Sequence, residues 1–322
     1  MAEYSLVTSH TKNAPPLVVI VGPTASGKTA LSLSLARRFD GEIVSADSMQ
    51  VYKGMDIQTA KPTEQEQKEI PHHLIGILEP DESFSVAQYQ TAAFRAIDDI
   101  TARGRLPILV GGTGLYVSAV VDNTRFGEMT IPPDIRLRLT TEARQQGGEA
   151  LLQRLREIDP VLAHTLHPNQ IKRIVRALEV HEVTGKTLTE FWAGSRLAPP
   201  RYNALMLGVT FHDRELLYDR INRRVDEMLR MGLLNEVSAM RQDRLSATAR
   251  QAIGYKELYG YFDQTLTWEE AVENLKRQTR RYAKRQLTWF RRDGRVEWLY
   301  HEDGNVSDAA EQMVFTHLSG KR

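Results

Sequence analysis

The sequence predicts an α/β fold: a parallel sheet with helices on both faces, interrupted by a helical insertion. Three observations predict it. Short apolar runs at Leu17–Val21, Ile43–Ala46, Leu106–Val110, Ala204–Thr210 and Val296–Tyr300 are separated by long helical patterns, and strands spaced in this way form parallel sheets covered on both sides. The first run leads directly into Gly22-Pro-Thr-Ala-Ser-Gly-Lys-Thr29, followed by a helical pattern from Thr29 to Arg38. No strand pattern appears between Asp122 and Pro200, a stretch that carries Ile131-Pro-Pro133 at its start and Ala198-Pro-Pro200 at its end, and such proline clusters mark boundaries.

The first strand and its loop carry the sharpest signal. The spacing G-x-x-x-x-G-K-[ST] between a strand and a helix makes a backbone that holds phosphates, so the sheet is read as P-loop NTPase-like. Gly22 and Gly27 let the chain turn with its N–H groups inward, and Pro23, Thr24, Ala25 and Ser26 complete the cradle. The following helix points its positive end at the same place. Lys28 is expected to reach the phosphate oxygens and the Thr29 hydroxyl to ligate Mg²⁺. The loop leaves open which phosphate compound binds, and whether phosphate is transferred or departs. Residues 1–14 are expected to be a loose tail, 15–121 with 201–322 the α/β core carrying basic C-terminal helices, and 122–200 the helical domain.

The second strand ends at Asp47, in Ser45-Ala-Asp-Ser-Met-Gln-Val-Tyr52. Residues just beyond strand C-termini face the ligand crevice of an open α/β sheet. A carboxylate there is a general base or a metal-supporting group, or else a cap for the next helix. The third strand closes on Gly111-Gly-Thr-Gly-Leu-Tyr116, where three glycines allow a ligand close to the backbone and Thr113 offers a hydroxyl. Pro71-His-His-Leu74 lacks the i, i+4 spacing of a helical metal pair and is read as structural.

Two helical segments are basic. In 171–178, Ile171, Ile174, Val175 and Leu178 share one face, and Lys172, Arg173 and Arg176 lie off it. From Lys276 to Arg292 there are eight Lys/Arg and no acid. All eight fall on one half of the helical wheel, while Leu275, Tyr282 and Trp289 recur every seven residues on the other. Clustered cations repel, and a nucleic acid backbone would relieve them. Arg220, Arg223, Arg224 and Arg230 form a further cluster suited in part to clamping a diphosphate.

Composition narrows the classes. The 322-residue chain is 41% apolar and 26% charged, and it has no cysteine. Disulfides, thiolate zinc sites and a cysteine nucleophile are excluded. Net charge is only +1, so any nucleic-acid surface is local. The first fourteen residues lack the apolar core of a signal peptide, and no run reaches membrane-spanning length. Cytoplasm is the expected compartment, with no membrane partner.

Taken in order, these segments resemble the tRNA dimethylallyltransferases, also called tRNA isopentenyltransferases, over nearly the whole chain. The matching pieces are Gly22–Thr29, Asp47–Lys61, Pro71–Leu74, Gly111–Tyr116, Arg173–Glu179, Arg250-Gln-Ala-Ile-Gly-Tyr255 and Lys284-Arg-Gln-Leu-Thr-Trp-Phe-Arg291. Gln58 stands where the family pattern usually has Gly, and the zinc-finger extension of eukaryotic members is missing, so the likeness is to the bacterial form. The resemblance implies transfer of a dimethylallyl group from dimethylallyl diphosphate to N6 of the adenosine 3′ of the anticodon, with Mg²⁺ as cofactor and the tRNA anticodon stem-loop as partner. It implies Asp47, Thr113 and Arg224 as catalytic groups and Gly22–Thr29 as the diphosphate site. It places Asp47, Ser48, Met49, Gln50, Lys172, Arg173, Arg176, Arg250, Gln251, Gly254, Tyr255, Lys284, Arg285, Gln286, Trp289 and Arg291 on tRNA. A monomer is expected. Two other classes share some of these features, a small-molecule or nucleotide kinase and a nucleotide-controlled RNA-binding switch. The first leaves the basic stripe oversized, and the second gives Asp47 and Thr113 no task.

Overall fold

The computed structural model describes residues 14–126, 132–195, 198–242 and 245–320. They fall into two compact units, Asp122–Pro199 and the chain on either side of it. Apart from Ala14, the expected tail lies outside the described residues.

The larger unit begins with β1 (Pro16–Val21), α1 (Lys28–Phe39), β2 (Gly41–Ser45), α2 (Glu64–Glu69), β3 (His72–His73), α3 (Val86–Ala102), β4 (Leu106–Gly111) and α4 (Gly114–Val121). The smaller unit holds α5 (Pro133–Gln146), α6 (Gly148–Ile158), α7 (Pro160–His164), α8 (Ile171–Thr184) and α9 (Leu188–Ser195). The larger unit then resumes with β5 (Asn203–Thr210), α10 (Arg214–Arg230), α11 (Leu233–Gln242), α12 (Tyr255–Phe262), α13 (Trp268–Phe290), β6 (Val296–Tyr300) and α14 (Val306–Leu318).

Six strands form one sheet in the order β3-β2-β4-β1-β5-β6, each pair parallel. Side chains alternate across a strand, and both faces of β1 are covered. Val18 and Ile20 pack with Leu31 and Leu35 of α1 and Val314 of α14. Leu17, Val19 and Val21 pack with Ile97 of α3 and Val117 of α4. That is why the strand reads as an unbroken apolar run rather than an alternating one. The five expected strands all form. β3 is an addition, because two residues are too few to show a period. Its register pairs Ile43 with His72 and Val44 with His73. The two histidines serve separate partners: His72 Nδ1 lies 2.6 Å from the Ile70 carbonyl and His73 Nε2 lies 2.7 Å from Glu42.

A third cluster fastens the segment after β2 to the C-terminal helices. Val51, Tyr52 and Met55 pack with Val225 of α10, Val237 of α11, Leu258 of α12 and Leu275 of α13. α13 starts at a capping box in which Thr267 accepts from the Glu270 N–H and the Glu270 side chain accepts from the Thr267 N–H. The smaller unit has its own core, with Leu139, Leu151, Leu155, Ile174, Val175 and Leu178 buried.

Candidate active site

The loop between β1 and α1 is shaped by its glycines. Gly22 and Gly27 have φ of +144° and +97°, and a Cβ at Gly22 would sit 2.3 Å from the Val209 carbonyl oxygen. Only glycine meets both demands at Gly22. α1 then starts at Lys28 with its N-terminus at the loop. Lys28 Nζ donates to the Pro23 carbonyl at 2.7 Å. Burial and then the neighbouring Arg224 guanidinium push the Lys28 ammonium down to about 7, against the pull of Asp47. Thr29 is exposed and lines the same cavity.

Two loop residues differ from expectation. The Thr24 N–H donates to Gln286 Oε1 at 2.8 Å, so it is spent on the protein rather than turned to a ligand. The Ser26 side chain is fully buried behind Gly22, where a Cβ would be 3.1 Å from its hydroxyl. It shapes the loop from within.

A cavity of about 360 Å³ opens at the carboxyl ends of β1, β2 and β4. Lys28, Thr29, Asp47, Ser48, Met49, Gln50, Arg224, Tyr282 and Gln286 are among its walls. On the outer side of the loop a second recess of about 620 Å³ shares Lys28, Thr29 and Arg224 with the first and adds Arg220 and Arg223. Burial lowers the Arg224 pKa from its ordinary value, with Asp47 opposing. Of the three arginines left open by the sequence, Arg224 alone faces both spaces. Arg220 donates through Nε to the Ala25 carbonyl at 3.1 Å.

Asp47 both caps and faces the cavity. Its Oδ1 accepts the N–H of Met49 at 2.8 Å and of Gln50 at 3.4 Å. The residues after it form a series of turns and not the helix the capping alternative required. Three tyrosines feel its charge: Tyr89, Tyr116 and Tyr282 are held above the ordinary phenol range by burial, with Asp47 contributing. Tyr89 and Tyr116 stack with centroids 3.8 Å apart, forming an aromatic wall near the carboxylate.

Thr113 has a structural task that the sequence did not show. Its Oγ1 accepts the Ser48 N–H at 3.0 Å and lies 3.4 Å from the Ser48 hydroxyl, tying the β4 loop to the β2 loop. Gln50 is similarly occupied. It accepts from Ser45 Oγ at 2.9 Å and donates to the Thr59 and Ala60 carbonyls at 3.2 and 3.4 Å, so it sets the wall's shape. The glycines at 112 and 114 admit protein rather than ligand. A Cβ on Gly112 would fall 2.0 Å from Gln286 Nε2, and one on Gly114 2.2 Å from Trp289 Cδ1.

On α13, Arg281, Lys284 and Arg285 are exposed, with Arg291 and Arg292 exposed just beyond it. The Arg285 guanidinium lies 5.6 Å from the Tyr282 ring centroid. The stripe is narrower than the wheel suggested. Lys276 pairs with Asp226 of α10 at 2.6 Å, and Arg280 pairs with Glu273 at 2.8 Å and with Asn222 at 2.7 Å. Gln286 is not on the stripe. It is buried and donates to the Gly112 carbonyl at 3.0 Å while accepting from Thr24. A signal for this was present, since a glutamine on the apolar side of an amphipathic helix must find partners. Trp289 is 42% exposed, its ring edge against Gly114.

Tyr255, expected on tRNA, is fully buried in the cluster beneath Tyr52, where it supports the loop instead. Gly254 caps α12 with φ +116° and is buried too. Arg250 and Gln251 are exposed, and Gln251 reaches the cavity. Gln58 lines the cavity and donates to the Ile253 carbonyl at 2.5 Å. In the smaller unit, Lys172 and Arg173 are exposed at the start of α8, and Arg176 lies 3.6 Å from buried Glu179.

Fold and site together define a P-loop α/β protein in which a carboxylate shares one cavity with the phosphate-binding loop. Comparison with known proteins makes the assignment particular. The IPP transferase family matches over residues 50–293, and the isopentenyl transferase family over 15–76. The chain is 49% identical over 319 residues to a tRNA dimethylallyltransferase of Halothermothrix orenii, covering 97% of this chain and 95% of that one. It is 51% identical over 306 residues to one of Halalkalibacterium halodurans, covering 95% and 97%. Among solved structures it is similar to the full-length tRNA isopentenylpyrophosphate transferase of Bacillus halodurans, with TM-score 0.69, 47% identity and coverage of 95% and 96%. It is also similar to a eukaryotic dimethylallyltransferase captured acting on tRNA, with TM-score 0.81, 30% identity and coverage of 96% and 81%. The chain belongs to the IPP transferase family.

Proposed function

We propose that this chain, an enzyme of the bacterial type, transfers the dimethylallyl group of dimethylallyl diphosphate to N6 of adenosine 37 in tRNA. The observation that carries the mechanism is the cavity that Asp47 shares with Lys28 and Arg224. N6 of adenine is a weak nucleophile because its lone pair is conjugated with the ring. It attacks the allylic carbon, the carbon–oxygen bond breaks, and its electron pair leaves on the diphosphate. The proton shed by N6 passes to the Asp47 carboxylate. Negative charge grows on the departing oxygens, so donors fixed there lower the barrier: the loop N–H groups, Lys28 and Arg224.

Mg²⁺ fits the donor set. Its habit is to take one or two protein oxygens and fill the rest with water and phosphate oxygens, and the exposed Thr29 hydroxyl beside the cradle is one such oxygen. Thr29 would hold it, and it would neutralise charge on the diphosphate. Thr113 acts by fixing Ser48 and thus the Asp47 turn. The target base leaves its stack to reach the cavity, where Ser48, Met49 and Gln251 wall its path. Lys284, Arg285, Arg291 and Trp289, with Lys172 and Arg173 of the smaller unit, supply phosphate and stacking contacts to the anticodon stem-loop. The enzyme works as a single copy. No helix among the described residues is long and apolar enough to cross a membrane.

The test is transfer of labelled dimethylallyl to tRNA in Mg²⁺ without ATP, read by nucleoside analysis. Isopentenyladenosine is expected. Phosphorylation of a small acceptor by ATP, with tRNA untouched, would overturn the proposal in favour of a kinase.

A further inference from the structure

The Ser26–Gly27 peptide is the one in the loop whose orientation most needs outside help. A trans peptide points its C=O and N–H in opposite directions, so turning the Ser26 carbonyl outward turns the Gly27 N–H toward the phosphate side. Glycine tolerates φ of either sign, and Gly27 sits at +97°. The chain on its own therefore sets little barrier against a flip of this peptide, which would put a carbonyl where an N–H must meet an anion.

His301 supplies the restraint. It comes directly after β6, and its Nε2 lies 2.7 Å from the Ser26 carbonyl. A carbonyl only accepts, so Nε2 carries the hydrogen. The ring is fixed by stacking on Phe211, centroids 4.5 Å apart at 21°. The Arg220 guanidinium lies 5.4 Å from the same Phe211 ring and donates to the preceding carbonyl, Ala25, at 3.1 Å. Space is also spoken for, since a Cβ on Gly27 would be 3.2 Å from His301 Nε2. The Gly27 N–H donates to no acceptor among the described residues, which leaves it for a ligand.

We propose that His301 is a positioning residue of the diphosphate cradle, latching the Ser26 carbonyl so that the Gly27 N–H faces the leaving group. This rests on the reading of the loop as the diphosphate site. The residue touches no substrate and acts through the loop.

The experiment measures binding of inorganic diphosphate by calorimetry to the full-length wild type, His301→Phe, His301→Gln and Lys28→Ala. Phenylalanine keeps the stack and loses the donor. Glutamine keeps a donor and loses the ring. His301→Phe is expected to weaken diphosphate about five- to tenfold, the loss of one positioned hydrogen bond, while His301→Gln stays within about twofold of wild type on the same principle. The KM for tRNA should be unchanged in both, and the Gly27 amide resonance should shift on adding diphosphate in the wild type and His301→Gln only. Should His301→Phe fail to fold, His301→Leu takes its place in the comparison. Wild-type affinity in the donor-less variant, or equal weakening in the glutamine variant, overturns the latch. Failure of the underlying reading looks different: wild type would bind no diphosphate, or Lys28→Ala would bind it normally, and the latch would fall with it.

Discussion

Lys28 gives the most quantitative prediction. Its ammonium is pushed down to about 7 in the free protein by burial first and Arg224 second. Raising pH through 7 therefore empties this cation from the site. A bound diphosphate reverses the balance, because an anion against Nζ favours the charged form. At pH 8 a group with a pKa of about 7 is roughly nine-tenths deprotonated, so binding must draw in about 0.9 proton. Above pH 7 the association constant should fall about tenfold per unit, about 1.4 kcal/mol each. Diphosphate has its own titrations, and Lys28→Arg separates them, since arginine stays charged throughout. The assay is calorimetry with inorganic diphosphate at pH 6 to 9, in two buffers of different ionisation enthalpy. Wild type should take up about 0.9 proton more than Lys28→Arg at pH 8 and show the steeper slope. Equal proton uptake and parallel slopes would refute the argument that burial discharges Lys28.

Gln286→Leu leaves the Thr24 N–H and the Gly112 carbonyl without their partner, and should cost about 1–3 kcal/mol of stability in urea titrations together with a loss of kcat. Glu42 is held down to about 2 by hydrogen bonds from Arg103 first, then His73 and Arg105. A depressed carboxyl stabilises above its unfolded value, near 4.5, and loses that contribution as pH falls toward 2, so Glu42→Gln should remove about 3 kcal/mol at pH 7 and flatten the acid limb of the stability curve between those values. tRNA affinity should fall steeply with salt, and Lys284→Ala combined with Arg291→Ala should reduce the log–log slope by roughly 2, measured by filter binding.

The sheet was legible because both of its faces are covered, which turns each central strand into an apolar run such as Leu17–Val21 or Leu106–Val110. The phosphate loop was legible because its glycines are local necessities. β3 was not, being two residues fixed only by pairing to β2. The site divides along the same line. Asp47 is read from its position just past the second strand, whereas the basic cluster leaves Arg220, Arg223 and Arg224 open, and it is the fold that puts Arg224 alone of the three on both cavities. The loop motif put Thr24 on the diphosphate, and the family resemblance put Thr113 among the catalytic groups and Gln50, Gln286 and Tyr255 on tRNA; the fold gives each a partner or a burial site within the protein. The partners of Thr24 and Thr113 lie 262 and 65 residues away, and no spacing rule reaches so far, whereas Gln50 bonds to nearby Ser45, Thr59 and Ala60 through turns that carry no period. The basic stripe was overcounted for the same reason, since Asp226, which relieves Lys276, belongs to another helix.

The most direct test of the central claim is a single-turnover experiment with Asp47→Asn. Asparagine keeps an oxygen to accept the Met49 and Gln50 N–H groups and removes the base. With enzyme in excess over tRNA and dimethylallyl diphosphate saturating, the variant should bind both substrates as wild type does and form isopentenyladenosine about 10²–10⁴ times more slowly. Formation at the wild-type rate would contradict the account, because the carboxylate in the shared cavity would then have no part in taking the N6 proton.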